Sequence, residues 1–354
     1  MVAASRFAPG MVVSAGAGCS IHRPTAARSI RVEWTGEVAR GRSGTYLRHS
    51  ATHCMARVRA EAASFPWSGK LRGKVALVTG SSRGVGRGIA RVLGEAGATV
   101  YVTGRTIRGH KSRQGLPGTI HDTAEEVSAR GGIGVPVRCD HTRDADIRRL
   151  MNRIRRERGH LDILVNNAFG GADGRHDILS YDEFPFWKHD FDEWWHRMFT
   201  AYLRSTLATT FCALPLMLRR RDGLIVNTLW WNRGKYLWEM FFDLSSNGVG
   251  RMVYGLDLEL RTRGITAVGV SPGWTLTEAM AHYSSRKKRK LASPEYAGRA
   301  VTHLAMDPDR HRLSGRVFEI AELARQYGFR DVDGRLIDYH AEVARKPPEG
   351  APPD

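Results

Sequence analysis

Long apolar runs are missing from this sequence of 354 residues. It has no stretch of about 18 consecutive apolar residues, which argues against a membrane-spanning helix. Cysteine is scarce: the four cysteines are far apart and form no Cys-x-x-Cys pair, so neither a disulfide framework nor a cysteine-based zinc site is expected. The clusters of His and carboxylate residues also lack a recognised ligand spacing. We therefore expect a cytoplasmic protein without a metal site.

Acidic residues are few, with 36 Asp and Glu against 54 Lys and Arg, giving a formal net charge of +18. A basic surplus of this size raises the question of nucleic-acid binding. Residues 1–70 contribute +7 of it, and the remainder is spread thinly over the rest of the chain, so a nucleic-acid partner is not expected. The densest basic run, residues 286–290, would suit nucleic acid, a localisation signal or an anionic substrate, but a solvated loop explains it most simply.

Residues 1–68 show no sustained apolar period, and we expect a disordered or non-native extension. Two further interpretations stay open, namely an organelle transit peptide and a translation start at Met55. From Lys74 onward, short apolar segments alternate with helical stretches, as in a parallel sheet covered on both faces. The sequence thus predicts a single α/β domain over residues 69–342, a Rossmann-type doubly wound parallel sheet. A disordered tail is expected over residues 343–354.

A glycine-punctuated turn, TGSSRGVG (79–86), follows the first predicted strand. Such glycines let the backbone approach a pyrophosphate, which binds at the N-terminus of the next helix. The second strand ends at Gly104-Arg105, where NAD-selective domains carry a carboxylate for the ribose 2′-hydroxyl. Arg83 and Arg105 suit a 2′-phosphate instead, so NADP(H) is the expected cofactor. The alternative is that both arginines are merely solvated.

Other predicted strand ends complete this site at the carboxyl edge of the sheet. Asp140 follows the third strand, where it is placed to accept a hydrogen bond from the adenine amine. Asn166-Asn167-Ala168 ends the fourth strand, and Pro272-Gly273 ends the sixth, near the expected nicotinamide. The complete set of predicted cofactor contacts is Gly80, Ser82, Arg83, Gly84, Val85, Gly86, Arg105, Asp140, Asn167, Ala168, Pro272 and Gly273.

The combination of TGSSRGVG, LDILVNNA and SPG, with the spacing between them, resembles the short-chain dehydrogenases/reductases over roughly residues 70–340. Phe186-Trp187, MFTAYLRS (198–205) and ELARQYGFRDVDGR (322–335) are similar to the branch typified by dehydrogenase/reductase SDR family member one and its bacterial relatives. The resemblance implies a Rossmann fold, NADP(H), interconversion of carbonyls and alcohols by hydride transfer, and a homo-oligomer.

The resemblance also implies three proton-transfer residues, and all three are absent. The family uses a tyrosine that exchanges the substrate proton, a lysine four residues later that lowers its pKa, and a serine about 13 residues before the tyrosine. Laid on this chain without a gap, these positions fall on Phe242, Ser246 and Leu229, which we call the family-equivalent positions. The position often occupied by a structural Asn is Tyr202. Loss of general acid catalysis typically costs roughly 10²–10⁴-fold.

Substitute acids are conceivable at Tyr202, whose family position faces the substrate pocket, and at Lys235 or Tyr236. Tyr283 and Lys287 have the spacing of the family motif Tyr-x-x-x-Lys. They lie, however, in the expected lid, about residues 274–292, so we interpret the match as chance. Alternatively, the aromatic residues around Phe242 simply fill the pocket.

The leading hypothesis is an NADP(H)-binding protein of oxidoreductase descent that has lost the family machinery, a pseudoenzyme or a binding or regulatory protein. One alternative is an active NADPH-dependent oxidoreductase with a substitute acid such as Tyr202. Another is an inactive partner subunit of an active family member. The sequence does not identify the small-molecule ligand or substrate.

Overall fold

The structure, a computed structural model, describes residues 18–22, 31–35, 66–110, 112, 115–173, 186–231, 236, 239–282, 285–288 and 290–339. In the N-terminal extension, β1 (Gly18–His22) and β2 (Arg31–Thr35) pair antiparallel in a sheet of their own. The absence of apolar periodicity gave no sign of this strand pair. The rest of residues 1–65 and the predicted tail at 343–354 lie outside the described residues.

The main sheet has seven parallel strands in the order β5-β4-β3-β6-β7-β8-β9. Six of them are short apolar runs, buried almost throughout, whereas β5 is an edge strand and is partly exposed. Runs of this kind are typical of parallel sheets covered on both faces. The predicted Rossmann-type fold is therefore confirmed, with strands β3 (Val75–Val78), β4 (Thr99–Gly104), β5 (Ile133–Arg138), β6 (Ile163–Asn166), β7 (Gly223–Thr228), β8 (Ile265–Ser271) and β9 (Val317–Glu319).

Helices cover both faces of this sheet. The described helices are α1 (Gly84–Glu95), α2 (Ile120–Ala129), α3 (Asp144–Arg158), α4 (Phe191–Trp195), α5 (Ser205–Met217), α6 (Met240–Leu260), α7 (Ser285–Lys288), α8 (Pro294–Met306) and α9 (Ile320–Tyr327). None of them is both long and apolar enough to cross a bilayer.

Two apolar cores lie on opposite faces of the sheet. Successive residues of β3 show this, because Ala76 and Val78 pack with α1, α2, α8 and α9, while Val75 and Leu77 pack with α3 and α5. This alternation follows from the two-residue period of a strand. The first core also includes Trp67, so packing begins two residues before the predicted domain boundary at 69.

Chain order fixes where a ligand can bind. The chain runs from β3 outward to β5, then crosses back to β6 on the other side of β3. In open α/β sheets, ligands bind in the crevice outside the carboxyl ends of strands at such a switch point. A π-helical stretch, His196–Arg204, joins α4 to α5 beside this crevice. Segments of π-helix are rare in proteins, and those that occur are often found at functional sites.

Candidate nucleotide-binding and active site

The glycine turn after β3 is held tightly against the end of β6. A β-carbon at Gly86 would lie 2.4 Å from Asn167 Nδ2, and one at Gly80 would lie 2.8 Å from the Ala168 Cα. Gly80 and Gly84 also have positive φ angles, 63° and 58°. Glycine alone fits both requirements, so the turn that the sequence predicted has its structural reason.

Asn167 and Ala168 brace this turn from the other strand. The Asn167 side chain donates to the carbonyls of Thr79 (3.0 Å) and Gly80 (3.1 Å). The backbone amides of Asn167 and Ala168 both donate to Thr79 Oγ1 at 2.8 Å. The structure therefore brings these predicted site residues together, with the amide group of Asn167 engaged by the turn itself.

The N-terminus of α1 binds a carboxylate from a distant segment. The backbone N–H of Gly84 donates to Glu278 Oε2 at 2.7 Å, and Arg87 Nη1 lies 3.3 Å from Glu278 Oε1. Helix N-termini favour anions because their free N–H groups and the helix dipole point outward. Sequence reasoning missed Glu278, since no local pattern connects it to a turn 194 residues earlier.

Arg105 follows the end of β4, and the Arg83 side chain reaches the same region from the glycine turn. The Arg83 guanidinium donates to Thr106 Oγ1 (3.1 Å) and to the carbonyls of Pro117 and Gly118 (3.2 and 3.0 Å), which fixes it to the segment after β4. Arg105 lies close enough to influence Asp140. Partial burial would raise the pKa of Asp140, but hydrogen bonds from Thr142 and the charge of Arg105 outweigh it and hold the pKa below its usual value.

Ser82 and Val85 serve packing as well as the turn. Ser82 is buried, and its side chain lies beside Gly104 at the end of β4. Val85 packs against the first apolar core. For these two predicted contacts, the structure indicates a role in placing the glycine turn.

Gly273, which follows Pro272 after β8, lies beside an aromatic cluster. Gly273 has a φ of 62°, and a β-carbon there would lie 3.2 Å from the Tyr339 Cβ. The ring centroids of Trp230 lie 5.3 Å from those of Trp274 and 5.1 Å from those of Tyr339. These rings surround the expected nicotinamide end of the crevice, and sequence reasoning did not include Tyr339.

The three family-equivalent positions lie at the start of the loop after β7 and in the first turns of α6. Leu229 and Phe242 are buried in apolar clusters. The Ser246 hydroxyl donates to the Trp230 carbonyl at 2.7 Å and accepts from the Trp230 amide at 3.1 Å. Two of these positions therefore offer no polar group, and the third is bonded to the backbone.

Comparison with known proteins decides the family. The family model described as short chain dehydrogenase matches residues 74–288. Dehydrogenase/reductase SDR family member 1 from Mus musculus is 34% identical over 285 residues, covering 76% of this chain and 87% of the relative. The Homo sapiens protein of that name is 34% identical over 286 residues, with the same coverage.

This chain belongs to the short-chain dehydrogenase/reductase family. A short chain dehydrogenase from Mycobacterium thermoresistibile has the same fold, with a TM-score of 0.62 at 21% identity over 73% of this chain and 88% of that one. The family is one of oxidoreductases that use nicotinamide nucleotide cofactors.

Within this short-chain dehydrogenase/reductase, Tyr202 lies beside the family-equivalent positions. It is buried in the π-helical stretch and packs with Leu229. Its hydroxyl donates to the Thr228 carbonyl at 3.1 Å. Burial raises the pKa of this hydroxyl well above its usual value, and the neighbouring Ser246 side chain acts in the opposite direction. A large side chain at 202 therefore meets a small one at 246.

The other candidate acids are less central. Tyr236 is about half exposed, and partial burial together with the charges of Glu239 and Asp243 raises its pKa. Lys235 and Tyr283 lie outside the described residues, and so do the side chains of most of the basic run at 286–290. No group of three or more His, Cys, Asp or Glu side chains in the described ranges is arranged to hold a metal ion.

A buried carboxyl group and a buried guanidinium near Phe242 were also missed by sequence reasoning. Glu239 caps α6, accepting from the amides of Phe241 (3.0 Å) and Phe242 (2.6 Å). Burial raises its pKa despite these bonds and the charge of Arg197. Arg197 donates to the carbonyl of Gly171 and lies over the Trp194 ring, 4.9 Å from its centroid. The two bonds to Glu239 fix the first turn of α6.

Proposed function

We propose that this chain is an NADP(H)-binding member of the family that has lost tyrosine-dependent hydride transfer and acts as a binding or regulatory protein. The observation that carries the proposal is the chemistry of the family-equivalent positions. Leu229 and Phe242 have no proton to exchange, and the Ser246 hydroxyl is bonded to the Trp230 backbone. A carbonyl in this crevice would therefore meet no proton donor at the positions where the family has one.

The proposed cofactor is supported by the fit of the residues around the switch point. At Gly80 and Gly86 the glycine turn has no room for β-carbons, and the Gly84 amide already binds an anionic oxygen. A dinucleotide pyrophosphate needs both features. Arg83 and Arg105 would hold the 2′-phosphate, and Asp140 would accept from the adenine amine. When bound, the nicotinamide supplies a hydride, which is the redox half of the family chemistry.

Proton transfer to the substrate oxygen is the step for which this site lacks the family residues. Hydride addition to a carbonyl creates an alkoxide, which needs a proton and a hydrogen-bond donor in a water-poor site. The missing acid typically costs roughly 10²–10⁴-fold in rate, and a missing oxyanion donor costs roughly 10²–10³-fold. Taken as independent, the two losses would lower turnover by roughly 10⁴–10⁷-fold.

A substitute acid at Tyr202 is the second candidate, because this residue contacts two of the three family-equivalent positions. Its hydroxyl proton, however, is donated to the Thr228 carbonyl. Burial also raises its pKa, and no charged residue is among the causes of that shift. For that reason we rank it below loss of function.

Association with a second subunit is supported by exposed apolar side chains on two helices. On α5 the exposed apolar side chains are Leu207 and Phe211, and on α6 they are Leu244 and Leu258. Leu207 and Phe211 are one helical turn apart, and neighbouring exposed apolar side chains of this kind are typical of interaction sites. We propose a homo-oligomer through α5 and α6, and a mixed oligomer with an active family member would use the same faces.

The cofactor proposal is tested by binding. NADPH should bind at least about 10-fold more tightly than NADH, because charge-assisted bonds to the 2′-phosphate are strong. Arg105→Gln should remove this preference and leave NADH affinity unchanged. Arg108→Gln is the matched control, since Arg108 is an exposed arginine paired with Asp122 and Glu125. Calorimetry that gives equal affinities for NADPH and NADH in the unaltered protein would contradict the assignment.

A further inference from the structure

We propose that Glu278 is an internal competitor of the cofactor, bound to the amide that the pyrophosphate needs, so that dinucleotide binding must displace it. This inference rests on the proposed function, because it concerns the regulation of the same site. Its basis is the pair of contacts that Glu278 makes with the start of α1: 2.7 Å to the Gly84 amide and 3.3 Å to Arg87 Nη1.

Competition follows from the geometry of one donor. The Gly84 N–H is bonded to a carboxylate oxygen, and a single N–H of this kind cannot serve a phosphate oxygen at full strength as well. The neighbouring residue adds steric exclusion, since the Thr277 Cγ2 lies 3.4 Å from where a Gly84 Cβ would be. The turn that carries Glu278 thus covers the N-terminus of α1, and both must separate before a pyrophosphate can bind there.

Arg87 stays in place when Glu278 leaves. Its Nε and Nη2 donate to Glu126 at 2.9 and 2.6 Å. Arg91 shares the same carboxylate and also pairs with Glu295 at 2.7 Å. This network fixes the Arg87 guanidinium from behind, so its Nη1 would face an incoming phosphate once Glu278 is displaced. The phosphate would thus replace the Glu278 carboxylate beside the Arg87 guanidinium and the N-terminus of α1, both of which stay unchanged.

The base of the segment that carries Glu278 is fastened. The Leu276 amide donates to the Ala292 carbonyl at 2.8 Å, and the Ala292 amide donates to the Trp274 carbonyl at 3.0 Å. Displacement of Glu278 can therefore occur by movement of the turn beyond Leu276, with β8 and Pro272-Gly273 unchanged. Cofactor binding is in this way coupled to the position of the turn at 277–280.

The test uses three nucleotides that share the 2′-phosphate. Glu278→Ala should tighten NADPH and adenosine 2′,5′-bisphosphate by about 10-fold, as expected for removing a charged hydrogen-bonded competitor. Adenosine 2′-monophosphate lacks the 5′-phosphate, and its affinity should not change. Glu125→Ala is the matched control because it removes an exposed carboxylate paired with Arg108. Thermal unfolding confirms folding, and Glu278→Gln, with a smaller gain, replaces the alanine variant if that one does not fold.

The outcomes separate this inference from the proposed function. If the unaltered protein binds none of the three nucleotides, the proposed function fails and the competitor role fails with it. If it binds NADPH but both Glu278 variants bind it equally or more weakly, Glu278 supports the site and only the competitor role is overturned. An equal gain for adenosine 2′-monophosphate, or for Glu125→Ala, would show a general charge effect and would also overturn it.

Discussion

Replacement of His141, a buried histidine beside the predicted adenine contact, should change how stability depends on pH. Its Nε2 lies 2.9 Å from the Thr103 hydroxyl in β4, and its Nδ1 lies 3.1 Å from the Thr209 hydroxyl in α5. The ring thus connects the sheet to a covering helix. Burial lowers its pKa to about 4, and the charge of Arg105 acts in the same direction, while Asp140 and Asp146 oppose it.

The magnitude follows from linkage. In the unfolded chain the ring titrates near pH 6.5, so between pH 6.5 and 4 the unfolded state binds a proton that the folded state does not. Stability is therefore fully present above pH 6.5 and is lost as the pH falls through this window. The complete loss is roughly 3 kcal/mol, and about 2 kcal/mol of it is reached by pH 5.

Urea unfolding at pH 7.5 and pH 5.0, followed by tryptophan fluorescence, measures this effect. At pH 7.5 the unaltered protein should exceed His141→Asn by about 1–2 kcal/mol, because the variant loses buried hydrogen bonds. At pH 5.0 that advantage should vanish or reverse. Asn in place of the exposed His311 is the control, and its pH dependence should match that of the unaltered protein. If His141→Asn loses as much stability as the unaltered protein between the two pH values, the reasoning about this ring is refuted.

Two further predictions concern the ends and the surface of the domain. Deletion of residues 1–65 should leave the melting temperature and NADPH affinity nearly unchanged, because the strands described there form a sheet of their own; a large loss of stability by calorimetry would show that they pack on the domain. Phe211→Asp should reduce the oligomer to smaller species in sedimentation velocity, since this side chain is 75% exposed on α5; an unchanged sedimentation coefficient would move the interface elsewhere.

Much of the fold could be predicted because its signals are local. Each buried strand is a short apolar run. The turn at 79–86 is recognisable from its glycines, which the backbone angles and close contacts of the turn require. The strands β1 and β2 lack such a signal. The π-helical stretch His196–Arg204 is equally invisible in the sequence, since its residues have the composition of an ordinary helix.

The site residues could be predicted only where a sequence motif contains them. Arg83 and Arg105 follow from their place after known strand ends. Glu278 and the contact between Tyr202 and Ser246 depend on tertiary packing between segments far apart in the chain. No periodicity or spacing encodes such pairs, so they were found only in three dimensions.

Compared with the family pattern, position 202 carries a larger side chain and position 246 a smaller one. This difference affects how the family machinery could be restored. A lysine at 246 would replace the Ser246 side chain, which lies beside the Tyr202 hydroxyl. Restoration therefore needs a smaller residue at 202 as well. We expect the quadruple variant L229S, F242Y, S246K and Y202N to gain activity, whereas single replacements should do little because these residues act as a unit.

NADPH consumption with a panel of ketones and aldehydes, measured beside NADPH binding on the same sample, tests the central claim most directly. The account predicts that the unaltered protein binds NADPH yet turns over at rates barely above background, and that the quadruple variant is faster. Brisk turnover by the unaltered protein that is abolished by Tyr202→Phe would contradict it and establish Tyr202 as the acid.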